Sequence, residues 1–226
     1  MTSPAPLPDP DPNPAEPVGP MTFEEYLEFE EASEIRHEYV GGYAYPYPLE
    51  VSGMSGGTQA HDAIIRNVTG QLWLRTRGTP CRTHGQSFKL RTPSGDAYYP
   101  DVTVSCGPKR PNDALYFDDP CLAVEVLSPS TRRDDLGEKR ERYVEAPSLG
   151  AYLVVESTWR AVHRHWRGDD GAWRTELVTG AGAIPLPCPA GGVLTLDEIY
   201  EDVELPAEPP SLVSSRAQRR ISPAAV

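Results

Sequence analysis

Two short runs constrain the fold most tightly: Tyr98-Tyr99-Pro100-Asp101-Val102-Thr103-Val104 and Cys121-Leu122-Ala123-Val124-Glu125-Val126-Leu127. Each is rich in aliphatic, aromatic or β-branched residues and is bounded by turn formers, the pattern of a largely buried strand. Each also carries one carboxylate among apolar neighbours, Asp101 in the first and Glu125 in the second. A lone ionised carboxylate withdrawn from water is costly unless a cation, hydrogen bonds or a metal compensates it. Two such strands in one chain call for a shared compensating group, and a divalent metal ion is the reading favoured here.

The 226 residues suffice for one well-buried core once the ends are discounted. Residues 1–20 carry prolines at 4, 6, 8, 10, 12, 14, 17 and 20 and are expected to be a disordered, extended tail. A single domain is expected over residues 21–205. The segment 206–226 is Pro/Ser-rich, with Arg216, Arg219 and Arg220, and reads as a second disordered tail. The net charge of -12 has the wrong sign for broad neutralisation of nucleic-acid phosphates. Much of the excess acid lies in the first tail and the Glu-rich first helix, so the field at a site outweighs the sum. Four cysteines, Cys81, Cys106, Cys121 and Cys188, form no CxxC pair and read as small buried thiols of a reducing compartment. Neither a membrane-spanning apolar run nor a leader is found, and a soluble cytoplasmic protein with no membrane partner is expected.

Thr22 with Glu25 three residues on is a capping box, opening a helix to about Ala32. Ile35 to Tyr45 reads as a hairpin around Gly41-Gly42, with Glu38 at its mouth. A Gly/Ser connector, Ser52 to Thr58, leads into a helix from about Thr58 to Arg77. Its stripe Ile64, Ile65, Val68 and Leu72 faces inward, and His61 falls on the same face one turn earlier, as a capped core-edge histidine or a functional one. Gln86 to Arg91 is a half-exposed strand expected to pair antiparallel with the Asp101 strand across the Pro93-Ser94-Gly95-Asp96 turn. Beyond Glu125, Ser130 or Thr131 caps a helix expected from about Arg133 to Glu145, whose stripe Leu136, Lys139, Arg140, Tyr143 and Val144 turns two cations toward the sheet. Later strands run over Tyr152–Glu156, Val162–Trp166 and Trp173–Val178, followed by a short helix near Leu196 to Glu201.

Asp101 and Glu125 on neighbouring strands can converge on one Mg²⁺ or Mn²⁺, an oxygen-seeking ion that polarises a phosphoryl oxygen and acidifies a bound water. Lys139 would orient that water or neutralise charge on the phosphorane, and Glu38 could add a further ligand. The plainer alternative is a buried ion network in which Lys139 and Arg140 neutralise the two acids.

Pro100-Asp101, Glu125-Val126-Leu127-Ser128-Pro129-Ser130-Thr131, Gly137-Glu138-Lys139 and Tyr143 form an ordered set. His37-Glu38-Tyr39-Val40-Gly41-Gly42 and Ser55-Gly56-Gly57-Thr58 with His61 precede it. Together they resemble the bacterial Uma-type restriction endonucleases of the PD-(D/E)XK nuclease superfamily, over roughly Met21 to Val203. The resemblance implies an α/β restriction-endonuclease-like fold, a mixed central β-sheet flanked by helices, and Mg²⁺- or Mn²⁺-dependent hydrolysis of phosphodiester bonds in nucleic acid, DNA foremost. It implies Asp101, Glu125 and Lys139 as the catalytic set, Asp101, Glu125 and Glu38 as metal ligands, and Glu38 and His61 as supporting residues. The superfamily pattern has a lysine two places after the glutamate, where this chain has Leu127, so the resemblance moves that role onto Lys139. Because many nucleases of this superfamily cut both strands as dimers, a homodimer is also implied.

Two further functional classes compete. One is a catalytically silent nucleic-acid- or protein-binding module on the same fold. The other is a serine hydrolase using Ser128 or Ser130 with His61, which no GxSxG elbow supports. His163 and His165 share a strand face but lack further ligands at metal spacing.

Overall fold

The structure is a computed structural model that describes residues 16–47, 58–127 and 137–209. Helix α1 (Phe23–Ala32) starts at the expected capping box: the Thr22 hydroxyl accepts from Glu25 N and the Glu25 carboxylate accepts from Thr22 N. Its Phe23, Tyr26 and Phe29 recur at helical spacing and bury against β1 (Arg36–Val40) and β2 (Tyr43–Tyr47) through Tyr39 and Ala44. These strands form the expected antiparallel hairpin. Gly41 and Gly42 turn it at φ of 59° and 91°, a conformation glycine adopts without steric cost. Just before α1, Val18 pairs with Ala44, so the described end of the proline-rich segment runs along this hairpin.

Helix α2 (Gln59–Thr76) is capped by the Thr58 side chain and buries Ala63, Ile64, Val68 and Leu72. Strands β3 (Arg82–Gly85), β4 (Lys89–Arg91), β5 (Ala97–Tyr98), β6 (Val102–Ser105), β7 (Tyr116–Phe117) and β8 (Pro120–Val126) follow. Helix α3 (Glu138–Tyr143) then leads to β9 (Ala151–Val155), β10 (Ala161–Arg167), β11 (Trp173–Thr179), β12 (Ala183–Pro185), β13 (Val193–Thr195) and α4 (Leu196–Ile199).

The central sheet has six strands in the order β11-β10-β9-β8-β6-β3, mixed because β8 and β9 run parallel while its other pairs are antiparallel. A second mixed sheet has the order β2-β1-β5-β4-β7, and β12 pairs with β13. Side chains alternate across a strand. Leu122, Val124 and Val126 of β8 and Val102 and Val104 of β6 therefore pack on the α2 side with Ile64, Val68 and Leu72. Ala123 faces the opposite core, with Tyr143 of α3, Tyr152, Val154 and Leu90. By the same alternation Asp101 and Glu125 lie on the α3 face of the sheet, away from α2.

The expected pairing of the Gln86–Arg91 strand with the Asp101 strand is corrected. β4 does turn back antiparallel across Pro93–Asp96, but its partner is β5 in the second sheet. The run Tyr98–Val104 is not one strand. It breaks at Tyr99-Pro100-Asp101 and re-enters as β6 in the central sheet, between β3 and β8. Pro100 has no N–H for a ladder, so the chain changes sheets there and Asp101 falls at the crossing.

The scattered-thiol reading of the cysteines is also overturned. The sulfurs join in two pairs, Cys81–Cys106 and Cys121–Cys188, with no cysteine left over. Strand order is the cause: Arg82 lies opposite Ser105, so the flanking Cys81 and Cys106 face each other, and Cys121 is the second residue of the next strand. Helix α3 spans only Glu138–Tyr143 among the described residues. The Ser52–Gly57 connector, the Ser130 or Thr131 cap, Leu136 and most of both tails lie outside them.

Candidate active site

Asp101 precedes β6 and Glu125 lies on β8, where Val102 pairs with Val124, so the two acids are next in register. Both are almost wholly withdrawn from solvent, at 3% and 1% exposure. Each is held by donors. Gln86 Nε2 donates to Asp101 Oδ1 at 2.7 Å and the Val126 backbone N–H to Oδ2 at 2.7 Å. The Asp101 N–H donates to Glu125 Oε2 at 3.3 Å, and the Tyr143 hydroxyl to Glu125 Oε1 at 3.0 Å. A carboxylate oxygen has two lone pairs, so a carboxylate with one donor on each oxygen still has acceptor capacity for a cation.

Lys139, 4% exposed, reaches this face from α3. Its Nζ lies 2.9 Å from Glu38 Oε1 on β1 and 3.6 Å from Glu125 Oε1. The Tyr47 ring lies 4.8 Å from Nζ and the Tyr98 ring 5.9 Å. Burial works to strip the proton from Lys139, but the carboxylates of Glu125 and Glu38 outweigh it and hold the pKa well above the usual lysine value. The side chain is therefore a fixed ammonium, a cation and donor rather than a base. Glu38 also accepts from Tyr99 N at 3.4 Å. Three acids and one lysine make up this four-residue set, two more negative charges than positive when all are ionised. Hard oxygen donors with surplus negative charge suit Mg²⁺ or Mn²⁺.

The four residues that sequence reasoning grouped, Glu38, Asp101, Glu125 and Lys139, lie together in the structure. His61 stands one layer away, its Nε2–H donating to the Val126 carbonyl at 2.9 Å, so it braces the end of β8 from the α2 side. Ser128 and Ser130, the nucleophiles of the serine-hydrolase reading, lie outside the described residues. His163 and His165 are engaged separately, with Glu156 and with Thr175. The reading missed Gln86, whose role depends on β3 lying next to β6, Tyr98, which looked like a strand aromatic, and Tyr47, which lies past the end of the expected hairpin. Tyr143 carried a hint in its place on the Lys139 stripe.

Comparison with known proteins bears on this arrangement. The profile of a family described as "Putative restriction endonuclease", Uma2, matches residues 23–205. The chain belongs to the Uma2 family. A relative of this Uma2 protein, "Uncharacterized protein slr1290" from Synechocystis sp., is 34% identical over 161 residues, covering 71% of this chain and 81% of the relative. A crystal structure described as "a putative nuclease belonging to DUF820" from Anabaena variabilis superposes with a TM-score of 0.65 at 18% identity. It covers 82% of this chain and 100% of that one, and so shows a shared fold. The Uma2 match spans all four site residues, and among the described residues no helix is long and apolar enough to cross a membrane.

Proposed function

We propose that this chain is a divalent-metal-dependent endonuclease that hydrolyses phosphodiester bonds in nucleic acid, DNA foremost. The observation that carries the reading is the buried pair Asp101 and Glu125, in register on adjacent strands, with the Lys139 ammonium 3.6 Å from Glu125. Asp101 and Glu125 would hold Mg²⁺ or Mn²⁺, with Glu38 as a third carboxylate, and the ion would polarise a phosphoryl oxygen and supply a hydroxide-like water.

The protein's own contribution is preorganisation. Gln86 and the Val126 N–H fix Asp101, and Tyr143 fixes Glu125, so neither carboxylate must reorient during the reaction. Lys139, held protonated between two carboxylates, offers its charge to the oxygens of a phosphorane as negative charge builds there. Glu38 keeps Lys139 on station. We place the activity in a domain of residues 21–205 flanked by two tails, acting in the cytoplasm, with a homodimer as the form that cuts both strands.

One observation favours the rival class, a silent binding module: Lys139 already bridges Glu38 and Glu125, as a structural ion network would. Mg²⁺ and Mn²⁺ titration calorimetry, paired with plasmid nicking on the same samples, separates the two. Metal binding and nicking in wild type that vanish in Asp101→Ala and Glu125→Ala support the nuclease. A folded wild type that binds neither ion leaves the ion network and the binding module.

A further inference from the structure

The four cysteines stand at the opposite end of the strands that carry the acids. Cys81 enters β3, Cys106 leaves β6 and Cys121 is the second residue of β8, while Cys188 comes in from the segment between β12 and β13. Two disulfides have no need to touch each other, yet these do. The sulfurs of Cys106, Cys121 and Cys188 all lie within 4.8 Å of one another, and Cys81 is bonded to Cys106. The four sulfurs thus form one knot, a close trio with Cys81 outside it and tied to it through Cys106, the two pairs being 25 and 67 positions apart in sequence.

We propose that this knot is a tetrathiolate zinc site, of which the two disulfides are the oxidised form. A tetrahedral zinc with bonds of about 2.3 Å sets its sulfurs about 3.8 Å apart, so the site forms when each pair separates, the Cys106, Cys121 and Cys188 trio closes slightly, and Cys81, released from Cys106, swings in as the fourth ligand. Each disulfide takes two electrons from a dithiol reductant, which leaves as its own disulfide. The four thiols formed release their protons as Zn²⁺ binds. Cys188 is buried and the other three are half-buried, which gives the ion an entry side and a closed side. Arg82, next in the chain to Cys81, spans to the Gly107 carbonyl at 2.9 Å and brings positive charge to this end of the sheet, where a zinc tetrathiolate would carry a net negative charge.

The ion would tie together the ends of β3, β6 and β8, the strands that supply or brace Gln86, Asp101 and Glu125. Cys106 is five residues from Asp101, about 16 Å along an extended chain, so the site is structural and separate from the carboxylates. This inference stands whether or not the chain is a nuclease.

The test uses the full chain purified anaerobically with a dithiol reductant, assayed for metal by plasma mass spectrometry and titrated with Co²⁺. We expect about one zinc per chain. We also expect the intense thiolate-to-cobalt charge-transfer band, unchanged in Asp101→Ala and lost in Cys106→Ser and Cys188→Ser. If those variants fail to fold, wild type alone decides. A folded, reduced wild type with no bound zinc and no charge-transfer band overturns the proposal, as does isolation of the anaerobic chain with both disulfides intact and no metal. A reduced chain that unfolds and is restored by Zn²⁺ supports it, and one that Zn²⁺ cannot restore overturns it.

Discussion

The Asp101 backbone N–H donates to Glu125 Oε2 at 3.3 Å, while Asp101 Oδ2 accepts from the Val126 backbone N–H at 2.7 Å. Each acid is thus held by the backbone at or beside the other. The pair behaves as one rigid unit: moving either strand by one residue would destroy both bonds and turn that strand's carboxylate to the α2 face.

Replacing either acid should abolish function with limited damage to the fold. Asp101→Asn and Glu125→Gln keep the shape of the site and remove its charge. Plasmid nicking in Mg²⁺ should fall at least about a hundredfold in each, with the thermal midpoint little changed. Variants that nick at the wild-type rate would rule out these carboxylates as the metal ligands.

Lys139→Met should destabilise as well as inactivate. It leaves the buried Glu125 and the half-buried Glu38 without their shared cation, and removing one partner of a buried ion pair costs about 3–5 kcal/mol. Urea denaturation measures the loss. A variant as stable as wild type would mean that Lys139 is not bound as the geometry indicates.

The alkaline limb of stability should also report on Lys139. Its pKa is raised in the folded chain above the unfolded value of about 10.4, so its contribution is whole below that value and fades as pH climbs through the folded pKa. The urea-midpoint advantage of wild type over Lys139→Met should stay flat from about pH 7 to about pH 10 and shrink only beyond it. An advantage that disappears near neutrality contradicts a protonated buried lysine.

The outer partners should tune metal affinity. Gln86→Ala removes the donor on Asp101 Oδ1, and Tyr143→Phe removes the donor on Glu125 Oε1. Loss of such a partner typically weakens metal binding about 10- to 100-fold. Calorimetry should show weaker Mn²⁺ binding in both variants, with nicking partly restored at high metal. Unchanged affinity would reduce these contacts to packing.

At acid pH, His165 should matter. Burial, reinforced by the charge of Arg140, pushes its pKa down to about 4, while the unfolded chain titrates near 6.5. Between those values the unfolded state binds the extra proton, so this contribution to stability is present above about pH 6.5 and lost as pH falls toward 4. Thermal midpoints measured across that window should fall more steeply for wild type than for His165→Gln, and parallel curves would contradict the shift.

Much of the local architecture was legible in the residues themselves. Thr22 and Glu25 specify a cap, Gly41-Gly42 a turn, and the apolar spacing of Ile64, Val68 and Leu72 a buried helix face, because each depends on neighbours within one or two turns. The carboxylates were conspicuous because a lone acid in an apolar strand is costly wherever that strand lies. The sequence alone therefore determined the helices, the hairpins and which acids needed a partner. Tertiary structure decided what those partners are. Pro100 splits one apparent strand between two sheets, strand order sets Gln86 against Asp101 and gathers four distant sulfurs, and α3 turns Lys139 onto Glu38, a residue 101 positions earlier. Such contacts depend on which strands lie side by side, and local periodicity carries no record of that order.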